Sequence, residues 1–235
     1  MKRIFYFYLG LMAWLSLLCS IAYTAVTNEN QMTQGFLRFS QTAELNVPAS
    51  RYGDYAHGLS QYLSGKTKTA MIRDPDTGEM ANAFSDKENA HLKDVWTIAA
   101  FLKIMRYAGG GLAVAALGFL YFRRPGERKA MLWDAVRGFA LSALFLLFVS
   151  SALIVWGIVN FDGLFVSFHQ LVFTNDLWLL NPSTDVLMAL MPLPFFTWYA
   201  GEMLKSMLPV LAMMLLVIVA FIRISTTQKK EENTK

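Results

Sequence analysis

Four long apolar runs, separated by polar segments, divide this chain. They cover residues 4–26, 107–122, 132–159 and 207–224. An apolar lead-in from residue 95 precedes the second run. A helix needs about 20 apolar residues to cross the hydrocarbon core of a bilayer, which is about 30 Å thick. We therefore predict an all-α integral membrane protein with four transmembrane helices, within residues 1–26, 95–122, 132–159 and 207–224.

Basic residues lie on one side of these predicted helices. They cluster before the first helix, in the loop 123–131 and in the tail 225–235. Lys and Arg in short flanks of transmembrane helices stay cytoplasmic. Both termini and the loop are therefore predicted to be cytoplasmic. Residues 27–94 and 160–206 are predicted to be extracytoplasmic and to form a cap at the outer surface of the membrane.

The composition agrees with this topology. Hydrophobic residues make up 55% of the chain and charged residues 16%. The net charge of +4 follows from the basic cytoplasmic flanks, so it is not evidence of nucleic-acid binding, and we predict no nucleic-acid partner. Cys19 is the only cysteine, which excludes an internal disulfide and a cysteine-rich metal site.

The first predicted helix also has features of a signal peptide. Lys2 and Arg3 precede its apolar run, and residues 22–25 offer a small-residue cleavage site. The run is longer than the apolar region of a usual signal peptide. This length favours retention as a transmembrane helix.

The segment 27–94 contains three local patterns. The apolar residues within 36–39 suggest a strand or an interfacial piece, residues 52–63 an amphipathic helix, and residues 74–78 a turn. His57, inside the predicted amphipathic helix, is interpreted as a solvated residue.

Prolines and aromatic residues mark the end of the segment 160–206. Pro192 and Pro194 predict an irregular interfacial turn over residues 191–196, because each proline lacks a backbone donor and restricts the residue before it. Trp198 and Tyr199 fit the aromatic belt of a membrane protein.

The first histidine motif begins at a helix start. Ser85 can cap the helix while Glu88 reaches back in a capping box. Glu88, His91 and Asp94 follow at steps of three and share one helix face. A carboxylate beside an imidazole fixes the tautomer of the ring and raises its basicity. The alternative is ordinary i,i+3 pairing on an exposed helix.

The second histidine motif follows the third predicted transmembrane helix. It lies in an aromatic-rich stretch and contains His169, Asn175, Asp176, Trp178 and Asp185. An ionisable group near hydrocarbon is costly unless it is paired or hydrated, so it is a functional candidate. The alternative is an interfacial loop with His169 facing water. Two such motifs on the predicted outer side favour one shared site.

The height of His91 above the membrane is a difficulty for this shared site. A straight helix rises 1.5 Å per residue, so His91 would lie about 22 Å above Arg106 at headgroup level. Either the helix tilts or breaks near residues 108–111, or the membrane boundary lies higher along the chain.

The two motifs together resemble those of the lipoprotein intramolecular transacylase (Lit) family. The matching positions are Glu88, His91, Asp94 and Val95 in the first motif, and Phe168, His169, Phe173, Asn175, Asp176, Trp178, Leu180, Pro182 and Asp185 in the second. The resemblance covers essentially the whole chain. Asn181 stands before the proline where an aspartate is expected, so no essential acid is assigned there.

The resemblance implies a bacterial enzyme of the cytoplasmic membrane that acts on diacylglyceryl-modified lipoproteins among membrane lipids, without a cofactor. Such an enzyme moves one acyl chain from the glyceryl group on the N-terminal cysteine to the α-amino group of the same cysteine. The product is a lyso-form lipoprotein. His91 and His169 are the histidines to which the catalytic role is carried over, with Glu88, Trp178 and Asp185 as supporting residues.

The required chemistry suits these residue types. The substrate supplies both nucleophile and electrophile, so no Ser or Cys of the enzyme need be acylated. The enzyme must take a proton from an ammonium, stabilise an oxyanion and protonate an alkoxide. We assign His169 as the leading general base and His91 as its acid or electrostatic partner. Asp94 and Asp176 are candidate orienters, and Asn175 is a candidate oxyanion donor.

Two other functions fit parts of the pattern. A metal-dependent membrane hydrolase would use His91, Asp94 and His169 as ligands, because imidazole and carboxylate suit zinc. A non-catalytic four-span assembly factor would explain the hydropathy and the aromatic residues without any site. A scaffold should tolerate alanine at both histidines.

The predicted topology can be tested by labelling. Single cysteines at Thr67 and Thr184, in a Cys19→Ser background, should react with a membrane-impermeant thiol reagent in intact cells, because both positions are predicted to lie outside. A cysteine at Gly126 should not react. Labelling at Gly126 with silence at Thr184 would invert the topology.

Overall fold

The computed structural model describes residues 2–42, 45, 47–74, 77–123 and 125–233. Helices dominate this part of the chain, with one small hairpin. The elements are α1 (Lys2–Val26), α2 (Glu29–Phe39), α3 (Tyr52–Leu63), β1 (Met71–Arg73), β2 (Met80–Asn82), α4 (Asp86–Arg123), α5 (Arg128–Val159), α6 (Phe161–Val172), α7 (Val186–Leu190) and α8 (Leu193–Asn233).

Four helices are long and apolar enough to cross a membrane. The candidate spans are Arg3–Val26, Asp86–Arg123, Pro125–Val159 and Leu193–Thr227. Each contains one of the four apolar runs of the sequence, so the predicted fold class is confirmed. Three of these helices are longer than a bilayer requires, because polar residues extend them beyond the apolar runs.

The chain divides into two compact units. The first, which we call the membrane unit, contains Met1–Ser20, Ile104–Trp156 and Ser206–Lys235. The second, which we call the histidine unit, contains Ile21–Lys103 and Gly157–Lys205. All three histidines of the chain lie in the histidine unit.

Close backbone contacts hold α1 within the membrane unit. A Cβ atom at Gly138 of α5 would lie 2.4 Å from the carbonyl carbon of Tyr6, and one at Gly109 of α4 would lie 2.8 Å from the carbonyl oxygen of Met12. Lipid offers no hydrophobic drive for helix association, so glycines that let backbones approach provide much of the packing energy. Helix α1 is thus packed against both α4 and α5.

The histidine unit has its own hydrophobic core. Helix α3 places aromatic and aliphatic side chains on one buried face, as predicted for residues 52–63. They pack with residues from α2, the start of α4, α7 and the start of α8. The most deeply buried of these residues are Phe36, Ala56, Leu59, Ala70, Ile72, Phe195 and Leu190.

The prediction of a strand within residues 36–39 is wrong. These residues end α2, which Asn28 caps by accepting a hydrogen bond from the Gln31 N–H at 3.1 Å. Met32 and Phe36 are buried while Leu37 is exposed, which is the spacing of a helix face and not of a strand. Apolar residues within so short a window do not distinguish the two periods.

A β-hairpin lies where the sequence predicts only a turn. Strands β1 and β2 pair antiparallel with Ile72 opposite Ala81. The Asp74 N–H donates to the Glu79 carbonyl at 2.7 Å, and Gly78 has a φ of +72°, which favours glycine. The remaining residues of the predicted turn, 75 and 76, lie outside the described residues.

The prediction of an irregular turn over residues 191–196 is wrong in its extent, and one of the possibilities left open for α4 is excluded. Helix α8 already begins at Leu193, so Pro194 lies in its first turn, where a missing N–H breaks no helical hydrogen bond. The irregular turn predicted over residues 191–196 is therefore limited to Met191 and Pro192. Helix α4 is continuous through residues 108–111, which excludes the break considered there.

Candidate functional site

The N-terminal turns of α4 carry the first histidine motif, and the predicted capping box is confirmed. The Ser85 N–H donates to Glu88 Oε2 at 2.7 Å, and the Glu88 N–H donates to Ser85 Oγ at 3.3 Å. Glu88 is 1% exposed, and its Oε1 also accepts the backbone N–H of Leu187 at 2.6 Å. One buried carboxylate thus joins the starts of α4 and α7.

Helix α6 carries the second histidine. Asn160 caps this helix by accepting the Gly163 N–H at 2.9 Å, and the helix ends at Val172, three residues after His169. His169 is 9% exposed, and its Nδ1 lies 2.7 Å from the carbonyl oxygen of Phe165.

This hydrogen bond assigns the tautomer of His169. A carbonyl oxygen only accepts, so Nδ1 must donate the proton. In the neutral ring, Nε2 therefore carries the lone pair and is available as a base. The acceptor is the carbonyl of Phe165, one helical turn before His169, and the sequence motif alone did not indicate it.

His91 lies beside His169 within the histidine unit. The two ring centroids are 6.3 Å apart and the rings are inclined by 31°. His91 is 7% exposed, and its Nδ1 is buried without a hydrogen-bond partner among the described residues. The structure therefore brings together the two histidines that the sequence motifs place 78 positions apart.

Both imidazoles favour the neutral form, and both lie outside the apolar runs. The pKa of His91 is lowered to about 4, mainly by burial and also by the neighbouring His169, while Asp94 opposes the shift. Burial also lowers the pKa of His169, and the hydrogen bond to Phe165 opposes that shift. Desolvation disfavours a charged ring, so burial is the main cause in each case.

Aromatic rings surround the two imidazoles. The centroid distances to the His169 ring are 4.2 Å for Phe165, 4.9 Å for Trp178 and 5.5 Å for Phe173. Phe173 also makes an edge contact with His91 at 5.3 Å. These rings exclude water from the imidazoles and fix their orientation, which explains the direction of both pKa shifts.

Asp94 and Asn175 join the two motifs at their exposed edge. The Asn175 side-chain amide donates to Asp94 Oδ2 at 2.9 Å, while Asn175 Oδ1 accepts the Leu177 N–H at 3.1 Å. Asp94 was predicted to orient a histidine and Asn175 to donate to an oxyanion. In the structure they bond to each other, so Asp94 acts on His91 through its charge.

A groove of about 530 Å³ lies beside this pair. Asp176, Asn175, Phe173 and Trp178 are among its lining residues, so it borders two of the rings that contact His169. Asp176 was predicted to orient a histidine, but it has no side-chain hydrogen bond to either ring in the described part of the chain. Its carboxylate instead borders the groove.

The remaining predicted residues have structural contacts. Asp185 Oδ2 accepts the Asn181 N–H at 2.7 Å and closes the turn before α7. Lys87, which the sequence reasoning missed, donates to the Leu179 carbonyl at 2.5 Å beside the groove. His57 is 54% exposed and pairs with Glu29 at 2.9 Å, away from the two motifs.

The described side chains do not form a recognisable metal site. No group of three or more His, Cys, Asp or Glu side chains is arranged to hold a metal ion among the residues that the structure describes. The ligand set of the alternative hydrolase, His91, Asp94 and His169, is thus not assembled as such a group.

The burial of His91 should make stability depend on pH. Its pKa is about 4 in the folded protein, below the ordinary value of 6.5. The unfolded chain therefore binds this proton first, and the free energy of unfolding should fall by on the order of 3 kcal/mol as the pH drops from about 6.5 through about 4. Thermal unfolding in detergent across this range would measure the loss.

Two glutamine variants provide the comparison. His91→Gln should reduce this pH dependence because it removes the more strongly shifted ring, while His169, whose pKa burial also lowers, retains a part of it. His57→Gln is the control substitution at an exposed histidine. Parallel loss of stability in the wild type and His91→Gln would contradict the assignment.

Three solved structures of one protein have a similar fold. Over 100% of this chain and 99% of the other, the structure is similar to the membrane integral lipoprotein intramolecular transacylase Lit from Bacillus cereus, with a TM-score of 0.63 and 18% identity. Variants of that protein with a histidine-to-arginine or a histidine-to-alanine mutation give TM-scores of 0.62 and 0.61, with 20% and 19% identity. They cover 95% and 96% of the other chain and 98% of this one.

The amino-acid sequence by itself also matches a protein family. No curated protein matches this chain. The family model described as lipoprotein intramolecular transacylase Lit matches residues 6–196, which include both histidine motifs and most of the chain. The chain therefore belongs to the lipoprotein intramolecular transacylase (Lit) family of bacterial membrane acyltransferases.

Proposed function

We propose that this protein moves an acyl chain from the glyceryl ester of a diacylglyceryl-cysteine lipoprotein to the α-amino group of the same cysteine, by histidine acid–base catalysis. The observation that carries this proposal is the pair of buried imidazoles, 6.3 Å apart, with the tautomer of His169 assigned by its backbone hydrogen bond. The site acts at the outer face of the bacterial cytoplasmic membrane.

His169 is the general base. Its Nε2 carries the lone pair, and its lowered pKa keeps the ring neutral at physiological pH. It takes a proton from the attacking amine, whose nitrogen forms the new bond to the ester carbonyl carbon. When the tetrahedral intermediate collapses, the carbon–oxygen bond to glycerol breaks. The imidazolium then returns the proton to the departing alkoxide.

His91 acts as a neutral hydrogen-bond donor. A ring with a pKa of about 4 holds no extra proton at neutral pH, so it is poorly placed to supply one to the leaving group. A neutral N–H can still stabilise the oxyanion, in a site where water is excluded. Of the two predicted roles, the structure supports the electrostatic one. Asp94 is held by Asn175, and its charge favours the protonated form of the His91 ring.

The groove beside Trp178 admits the substrate. It borders the rings that contact His169. Asp176 also lines the groove, and its carboxylate attracts the ammonium group of the substrate cysteine before that group loses a proton. Apolar residues on the same lining, Leu179 among them, suit the lipid portion of the substrate. No acyl-enzyme is required, because nucleophile and ester belong to one molecule.

Alanine substitutions separate the histidines. His91→Ala and His169→Ala should each reduce the rate of lyso-form production by at least about 100-fold, the contribution typical of positioned proton transfer and comparable to that of one oxyanion donor. His57→Ala should retain most activity, because His57 pairs with Glu29 outside the site. Initial rates with a synthetic diacylglyceryl lipopeptide measure the effect, with thermal unfolding as the check on folding.

The outcome that contradicts the proposal is equal tolerance at all three positions. A scaffold without a site would give that result. A loss confined to one histidine would remove the other from the mechanism.

The path of the acyl group is tested by an isotope experiment. A lipoprotein with isotope-labelled acyl chains is mixed with an unlabelled one of different peptide sequence and incubated with the enzyme. Mass spectrometry of the N-terminal peptides should find the label still on its original peptide, moved from glycerol oxygen to nitrogen. Substantial label on the second peptide, or a trapped acylated enzyme, would favour a covalent relay.

A further inference from the structure

A second groove, of about 360 Å³, lies on the histidine unit away from the two motifs. Its lining is polar, with amide side chains from α2 and its cap on one side and Trp198 and Glu202 of α8 on the other. The mechanism above uses none of these residues.

Two side chains in this groove carry hydrogen-bond donors without an acceptor among the described residues. The Gln31 side-chain nitrogen is buried without a hydrogen-bond partner in the part of the chain that is described. Arg38 lies over the ring of Trp198, 5.3 Å from its centroid, and has no carboxylate partner among the described side chains. The ring covers one side of the guanidinium and leaves its N–H groups for an acceptor with two oxygens, such as a phosphate.

The carboxylates nearby already have cationic or ionisable partners. Glu202 accepts from Lys205 Nζ at 2.7 Å, and Glu29 pairs with His57 at 2.9 Å. The groove therefore presents the N–H groups of Arg38 and of the glutamine amides. The described residues do not supply a matching acceptor. A buried donor without an acceptor is destabilising, so a ligand acceptor would stabilise this arrangement.

Residues that line this groove lie next to two membrane-spanning segments in the sequence. Asn28 follows the last residue of α1, Val26, by two positions. Glu202 lies in α8, five positions before the apolar run 207–224 begins. Trp198 has the amphipathic ring that locates at headgroup level in membrane proteins. The acceptors most abundant at that level are lipid phosphates.

We infer that this groove binds the phosphodiester of a membrane phospholipid. The Arg38 guanidinium donates two N–H groups to the phosphate oxygens, the geometry in which arginine binds phosphate best. The Gln31 and Gln34 amides supply further donors, and Trp198 covers the arginine from the opposite side. This inference does not depend on the acyl transfer.

Lipid binding to the full-length protein tests the inference. The protein in detergent is titrated with dioleoylphosphatidylglycerol, and native mass spectrometry gives the dissociation constant of the first bound lipid. Arg38→Gln should weaken this binding at least about tenfold, because a hydrogen bond to a charged group contributes about 1.5–3 kcal/mol. Gln31→Leu, which removes the buried donor, should weaken it in the same direction.

Arg73→Gln is the matched control. Arg73 is an exposed arginine on β1 of the same unit and lines neither groove. The Arg73→Gln variant should bind the lipid with the same dissociation constant as the wild type. Equal affinity in Arg38→Gln, Arg73→Gln and the wild type would overturn the inference, and thermal unfolding of each variant shows whether it has folded.

Two ligand controls identify the chemistry. An uncharged diglucosyl diacylglycerol with the same acyl chains should bind more weakly, and its affinity should not change in Arg38→Gln. Glycolipid binding as tight as that of the phospholipid would show that the phosphate is not recognised. Inorganic phosphate at millimolar concentration should not displace the lipid. Full displacement would assign the groove to free phosphate instead.

Discussion

The buried Glu88 carboxylate is the interaction on which the candidate site depends. It accepts the Ser85 N–H at the start of α4 and the Leu187 N–H at the start of α7, and it is almost completely inaccessible. Hydrogen bonds to a charged group contribute about 1.5–3 kcal/mol each, and losing the acceptor would leave the buried Leu187 N–H unpaired. His91 follows one turn later on the same face, so the contact that closes the core also sets the position of the imidazole.

The same packing determines the chemistry. Phe165, Phe173 and Trp178 surround His169, and this enclosure lowers its pKa at the same time as it excludes water. In the proposed mechanism, the same exclusion of water that weakens the base would strengthen the stabilisation of an oxyanion. The hydrogen bond from His169 to Phe165 opposes the loss of basicity and leaves the lone pair of the neutral ring on Nε2.

Local and periodic features could be predicted from the sequence, whereas long-range contacts could not. The four apolar runs, helix α3 and the Ser85–Glu88 capping box each depend on residues a few positions apart. The Leu187 N–H bound by Glu88 lies 99 positions away, and the Asn175 amide bound by Asp94 lies 81 positions away. The residue type shows that a buried carboxylate needs hydrogen-bond donors. It does not show which distant N–H groups supply them. Pro194 misled the prediction because its effect depends on its position in the helical turn.

The unpartnered Nδ1 of His91 distinguishes this ring from the rest of the core. Glu88, one turn earlier, has backbone donors for both carboxylate oxygens, so the fold is able to satisfy a buried polar group at this depth. His91 instead retains a buried nitrogen without a partner among the described residues, at a cost of about 1–3 kcal/mol. Natural proteins keep such groups mainly where function requires them. Because His169 already bonds to Phe165, the unsatisfied capacity of the pair is concentrated on His91 and on His169 Nε2, and these are the two rings to which the proposed mechanism assigns the ester carbonyl and the amine.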